Sequence, residues 1–127
     1  MEIGLAAVDA WNRGDYEAWL AFWDEEAEFS PLRAQLEGES YRGRDGLERF
    51  LADVAEDWKE VRFEIEETRD DGEQVVGMGR FLARGRASGV EINVPLGILM
   101  RVRRGRIVYT RLFSEPAEAL KAAGLSD

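Results

Sequence analysis

The chain contains neither cysteine nor histidine. The first absence removes disulfide frameworks, thiolate nucleophiles and cysteine-ligated zinc; the second removes every mechanism that uses imidazole as a base. Basic residues are also few beside acidic ones, 17 against 26, which leaves a net charge of −9 at pH 7. A field of that sign opposes phosphate contacts, so nucleic acid is not an expected partner. No apolar run approaches the length of a membrane-spanning helix, and Met1-Glu2-Ile3 lacks the basic-then-apolar pattern of a secretory leader. The expectation is a cytoplasmic protein that makes no use of membrane or metal. At 127 residues the chain reads as one domain, 1–127, long enough to bury a core without staples.

What is present is dominated by strand. From about Val61 to Phe113 four extended segments alternate with three short polar-glycine pairs, Asp71-Gly72, Ser88-Gly89 and Arg104-Gly105. Such a pair between two apolar runs marks an antiparallel hairpin, because glycine accepts the positive φ of a tight turn. Four strands in sequence make a meander whose apolar face must be covered.

The first half of the chain supplies the cover. Ile3, Ala7, Ala10 and Trp11 recur at helical spacing, and Gly14 suits the left-handed stop that follows. Asp15 then offers an N-cap oxygen to a second helix carrying Tyr16, Trp19, Leu20 and Trp23. Ala27 to Ser30 reads as a short strand stopped by Pro31, and Leu32 to Gly43 as a polar loop. Asp45 to Glu48 has capping-box spacing ahead of a third helix with the stripe Leu47, Phe50, Leu51, Val54 and Trp58. Most of that stripe is core, whereas Trp58, at the helix end, is placed to line a pocket mouth. Pro116 opens a short alanine-rich helix that Gly124 ends.

Phase assigns the faces of the sheet. Ile98, Met100 and Val102 share the inward face of one strand, with Arg101 and Arg103 outward. In the last strand Ile107, Tyr109, Arg111 and Phe113 share a face, and this apolar company predicts an inward Arg111. From Arg80 to Arg111 the arginines Arg80, Arg84, Arg86, Arg101, Arg103, Arg104 and Arg106 face only Glu91 in sequence. Two readings fit them: an anion-binding patch, or cross-strand pairs with Glu64 and Glu66 on a solvated or dimer-facing surface.

Several motifs carry a resemblance. Ala10-Trp11-Asn12-Arg13-Gly14-Asp15, Tyr41-Arg42-Gly43-Arg44-Asp45-Gly46, Gly105-Arg106-Ile107-Val108 and the Glu118-Ala119-Leu120 tail resemble the nuclear transport factor 2-like superfamily, and within it SnoaL-like bacterial members. The resemblance spans nearly the whole chain. It implies an α+β fold, a strongly curved antiparallel sheet with three N-terminal helices packed in its concave face, and a homodimer through the outer sheet face. For activity it is less specific, because one fold hosts isomerases, cyclases, hydrolases and binding modules.

The catalytic sets of the relatives are not intact here. Where ketosteroid isomerase-like members place a general-base Asp before Pro, this chain has Ser30; their oxyanion-donating Tyr and Asp fall at Ala7 and near Ile98. Pairs built on His cannot form. Of the epoxide hydrolase-like arrangement Arg111, Tyr109 and Asn93 remain without an inward Asp. The resemblance therefore implies a pocket for a small apolar or amphipathic molecule, with Arg111, Tyr109, Trp58, Ser30, Phe113, Ile98 and Met100 as candidate lining. Arg111 is the candidate anchor for an anionic or carbonyl group, or the partner of a helix carboxylate in a purely structural ion pair. Two functions stay open: a cofactor-free isomerase, cyclase or hydrolase, and a non-catalytic ligand-binding or dimerisation module. An Asp53 or Asp57 turned inward beside Arg111 favours the first.

Overall fold

The computed structural model describes residues 2–125. In chain order it contains α1 (Glu2–Asn12), α2 (Tyr16–Ala21), β1 (Trp23–Ser30), α3 (Leu32–Leu36), β2 (Tyr41–Arg42) and α4 (Gly43–Asp57). Then follow β3 (Trp58–Asp70), β4 (Gln74–Gly85), β5 (Glu91–Arg103), β6 (Arg106–Phe113) and α5 (Pro116–Ala123). The strands form one curved sheet in the order β2-β1-β6-β5-β4-β3, antiparallel except for the parallel pair β1–β6. The hairpin meander stands where the glycine turns place it, and the α+β class is as the sequence implies.

Local chemistry explains the corner between the first two helices. Gly14 adopts φ +77°, which a side chain would resist, and the Asp15 carboxylate accepts from the Ala18 amide at 3.2 Å. The corner turns the indoles of Trp11, Trp19 and Trp23 into the hollow of the sheet, where all three are buried. Their rings touch in series with Phe29 and Phe50, from Trp11–Trp19 at 5.1 Å between centroids to Phe29–Phe50 at 4.7 Å. Each such pair contributes about 0.5–1.5 kcal/mol beyond area burial, so this aromatic chain fixes the narrow end of the hollow. The indole N–H of Trp11 donates to the Val61 carbonyl at 2.9 Å, and Asn12 exchanges two bonds with the backbone of Phe63. These bonds tie α1 to β3.

Three expectations change. The stretch after Pro31 is not only loop: Leu32–Leu36 forms α3, and Tyr41–Arg42 adds the edge strand β2. The third large helix starts at Gly43, two residues before Asp45, with Arg42 at its cap position, so Asp45 sits inside the first turn instead of capping it. The centre of the sheet is apolar on both faces, because α5 packs on the convex side. There Val76, Leu99, Ala119 and Ala123 form a second buried cluster. Among the described residues no helix is long and apolar enough to cross a membrane.

Candidate functional site

Aromatic rings fill the narrow end of the hollow; the wide end is open. Beyond Phe50 a cavity of about 480 Å³ lies between α3, α4 and the concave face of β3 to β6. That volume falls within the range of small-molecule sites, roughly 300–1,000 Å³. Its floor is Leu96 and Leu112, both buried, and its walls include Phe50, Val54, Trp58, Val61, Phe63 and Phe81. The rim is polar and exposed, with Arg33, Glu37, Asp53, Glu56 and Asp57. Helix periodicity builds one wall: Phe50, Val54 and Trp58 recur at four-residue intervals along α4 and its exit, and Asp53 and Asp57 precede the last two.

Two polar pairs order the rim. The Tyr41 hydroxyl donates to Asp53 Oδ2 at 2.7 Å, joining β2 to α4, and the Arg49 guanidinium lies 5.0 Å above the Tyr41 ring. Burial first, and then the bond to Asp53, push the Tyr41 phenol up to about 12 from its ordinary 10. At neutral pH the phenol therefore stays protonated and Asp53 remains the acceptor of the pair. The second pair is Arg33–Asp57 at 2.6 Å, between α3 and α4.

Below them α3 is fastened more deeply. Gln35 Nε2 donates to the carbonyls of Ser30 and Leu112, each at 2.8 Å, so one amide satisfies both adjacent ends of the parallel pair. This short helix thus forms a strap over the cavity. Among the described residues no group of acidic side chains is arranged to hold a metal ion.

Of the candidate residues only Trp58 lines this cavity. The phase that predicted an inward Arg111 is broken by a bulge in β6. Arg101 pairs with Tyr109 but Val102 pairs with Ile107, leaving Val108 as an extra residue. Ile107 and Tyr109 consequently lie on opposite faces. Ile107 and Leu112 join the concave core, whereas Tyr109 and Phe113 pack under α5 on the convex side.

Arg111 goes with them. It lies opposite Leu99, its guanidinium 5.2 Å from the Phe113 ring, and among the described residues no carboxylate pairs with it, Glu115 included. Ser30 is the ladder partner of Arg111 and is buried away from the cavity. Ile98 and Met100 face the concave side as expected, yet they pack against the aromatic core below the cavity. Tyr41, which the sequence singles out only as the start of the Tyr41–Gly46 motif, holds a rim carboxylate. Asp53 and Asp57 do reach the cavity lining, beside Tyr41 and Arg33 instead of Arg111.

With fold and site in view, comparison with known proteins is informative. The model of the SnoaL-like domain matches residues 5–110. The chain belongs to the SnoaL-like family. Solved structures agree on the SnoaL-like architecture. A nuclear transport factor 2-like protein of unknown function from Burkholderia pseudomallei superposes with a TM-score of 0.81 at 20 % identity, covering 95 % of this chain and 94 % of that one. A nuclear transport factor 2-like protein from Burkholderia thailandensis gives 0.79 at 24 % identity over 98 % and 94 %. A candidate polyketide cyclase from Xanthomonas campestris gives 0.76 at 24 % identity over 92 % and 90 %. At these identities the likeness shows the SnoaL-like fold and no more. No curated protein matches the sequence.

Proposed function

We propose that this SnoaL-like chain binds one small, largely apolar molecule in the cavity beneath α3. The carrying observation is the cavity itself, about 480 Å³ with an apolar floor and aromatic walls under a polar rim. Burying an apolar body there gains roughly 25 cal/mol per Å² of surface removed from water. The mouth offers the neutral Tyr41 phenol and the Asp53 carboxylate to a polar group. Trp58 is the natural reporter, since the other three tryptophans are buried in the core while Trp58 is half-buried on the cavity wall. A titration with neutral aromatic molecules should change Trp58 emission and raise the melting temperature. Trp58→Phe should remove the optical signal and keep the thermal one. A panel that moves neither would refute binding.

One observation favours a second reading, a cofactor-free enzyme of the isomerase or cyclase type. Tyr41 fixes Asp53 through Oδ2, which leaves Oδ1 free to take an activated C–H proton. The Xanthomonas relative's description as a candidate polyketide cyclase is in keeping with this. Deuterium uptake at the carbon beside the carbonyl of a bound ketone tests it. Uptake lost in Asp53→Asn supports proton transfer, and no uptake above that of an equal acetate concentration leaves binding alone.

We also propose self-association through the convex surface of β3 to β5 beyond α5, where Glu64 and Arg80 sit opposite each other on neighbouring strands. Sedimentation velocity at micromolar concentration would show a dimer, and a monomer would refute it.

A further inference from the structure

Two buried polar atoms have no partner in the floor of the aromatic core. Trp23 Nε1 and Thr110 Oγ1 are each sealed from solvent and unbonded among the described residues. Both residues line the same void of about 30 Å³ in the aromatic core, and Phe50, Phe63 and Leu112 line both this void and the main cavity. Buried polar groups are almost always paired, so two orphans at one void call for a partner. Burial of an indole does not by itself create the deficit, since Trp11, equally buried, donates to Val61. Nor does packing require a hydroxyl at residue 110, which is 2 % exposed among apolar side chains where valine has the same shape.

The donor inventory identifies the missing group. An indole N–H only donates, and a threonine hydroxyl donates or accepts, so the partner that satisfies both is an acceptor oxygen. Among the described residues the void's lining contains no Lys, Arg, Asp or Glu, and a charged oxygen there would be desolvated without compensation. An uncharged oxygen fits. The space suffices, since a single water needs only about 10–15 Å³ of such volume.

We propose that Trp23 and Thr110 form an inner subsite that receives the carbonyl oxygen of a ligand whose apolar body fills the main cavity. This rests on the cavity-binding reading and narrows its ligand from a small, largely apolar molecule to a neutral carbonyl compound. Trp23 Nε1–H and Thr110 Oγ1–H both donate to that oxygen. Phe50 and Leu112 clasp the carbon behind it. In the free protein a water molecule takes the oxygen's place.

A matched pair of probes tests the subsite on the full chain: 2-acetylnaphthalene, and 2-isopropenylnaphthalene, in which a methylene replaces the carbonyl oxygen. The ketone should bind about tenfold more tightly, the difference expected from one buried pair of donors gained or left empty. Thr110→Val should erase most of that preference while leaving the hydrocarbon's affinity unchanged. The carbonyl stretch of the bound ketone should lie below its frequency in apolar solvent and return upward in Thr110→Val. Should that variant fail to fold, the stretch in the unmodified protein and in Trp23→Phe decides. Equal affinities, or a carbonyl stretch at its apolar-solvent value, would overturn the inner subsite while leaving cavity binding intact. Failure of both probes, together with the wider neutral panel, would overturn both readings.

Discussion

Replacing Gln35 by alanine should loosen the strap over the cavity without disturbing the sheet beneath it. The amide of Gln35 makes two bonds of 2.8 Å, to the carbonyls of Ser30 and Leu112, and alanine makes neither. At about 1 kcal/mol net for each, the substitution removes about 2 kcal/mol of the free energy that keeps α3 closed. Local opening of residues 32–36 should then become about 30-fold more frequent. Arg33→Ala provides the contrast. Its contact to Asp57 is shorter, 2.6 Å, but the side chain is 75 % exposed, so solvent and salt leave that pair with little influence. Hydrogen exchange followed by mass spectrometry on a peptide covering α3 reads both effects. Gln35→Ala should accelerate exchange at the amides of Gln35 and Glu37, which bond to Pro31 and Ala34 in the closed strap. Peptides from β4 and β5 should keep their protection. Unchanged exchange in Gln35→Ala, or an equal acceleration in Arg33→Ala, would refute the view that the amide holds the strap.

Two further outcomes follow from the structure. A spectrophotometric titration near 295 nm should show one of the three tyrosines ionising late, near pH 12, and Tyr41→Phe should remove that step. Because the folded value lies above the unfolded one, Tyr41 stabilises the fold below about pH 10 and loses that contribution between pH 10 and about 12. Asp53→Asn should bring the step only part of the way down, since burial is the larger cause; complete normalisation would contradict that order. Gly97→Ala should destabilise the fold by about 1–3 kcal/mol in urea denaturation. A methyl there would stand 2.8 Å from the Ala119 Cβ and 3.0 Å from the Pro116 Cα, lifting α5 off the sheet. An unchanged midpoint would show that α5 yields freely.

Legibility in the sequence followed the range over which each feature is decided. The hairpin turns at Gly72, Gly89 and Gly105 are local, and each takes the positive φ that its sequence announces. The Gly14-Asp15 corner is local as well. The strap was missed because Leu32–Leu36 is too short to show a period, and its hold comes from an amide bonded to a carbonyl 77 positions away. Tyr41 and Asp53 lie twelve positions apart and meet only because β2 pairs on β1 and α4 turns back over it. In principle α4 did carry a signal, since Asp53 and Asp57 flank its apolar stripe on the side of Trp58. The inner pair was hidden for another reason: a missing partner is visible only once every neighbour has been placed.

The bulge at Val108 has a consequence for how members of this family are compared. On the Gly105 side of it, counting from the turn assigns faces correctly, and on the Phe113 side the same count exchanges them. A relative lacking this one residue would keep every β6 pairing and every face, because Val108 is the residue that opposes none on β5. This interior strand can therefore gain or lose one codon without re-addressing its side chains, and its faces are read from the pairing with β5 and not from an uninterrupted count.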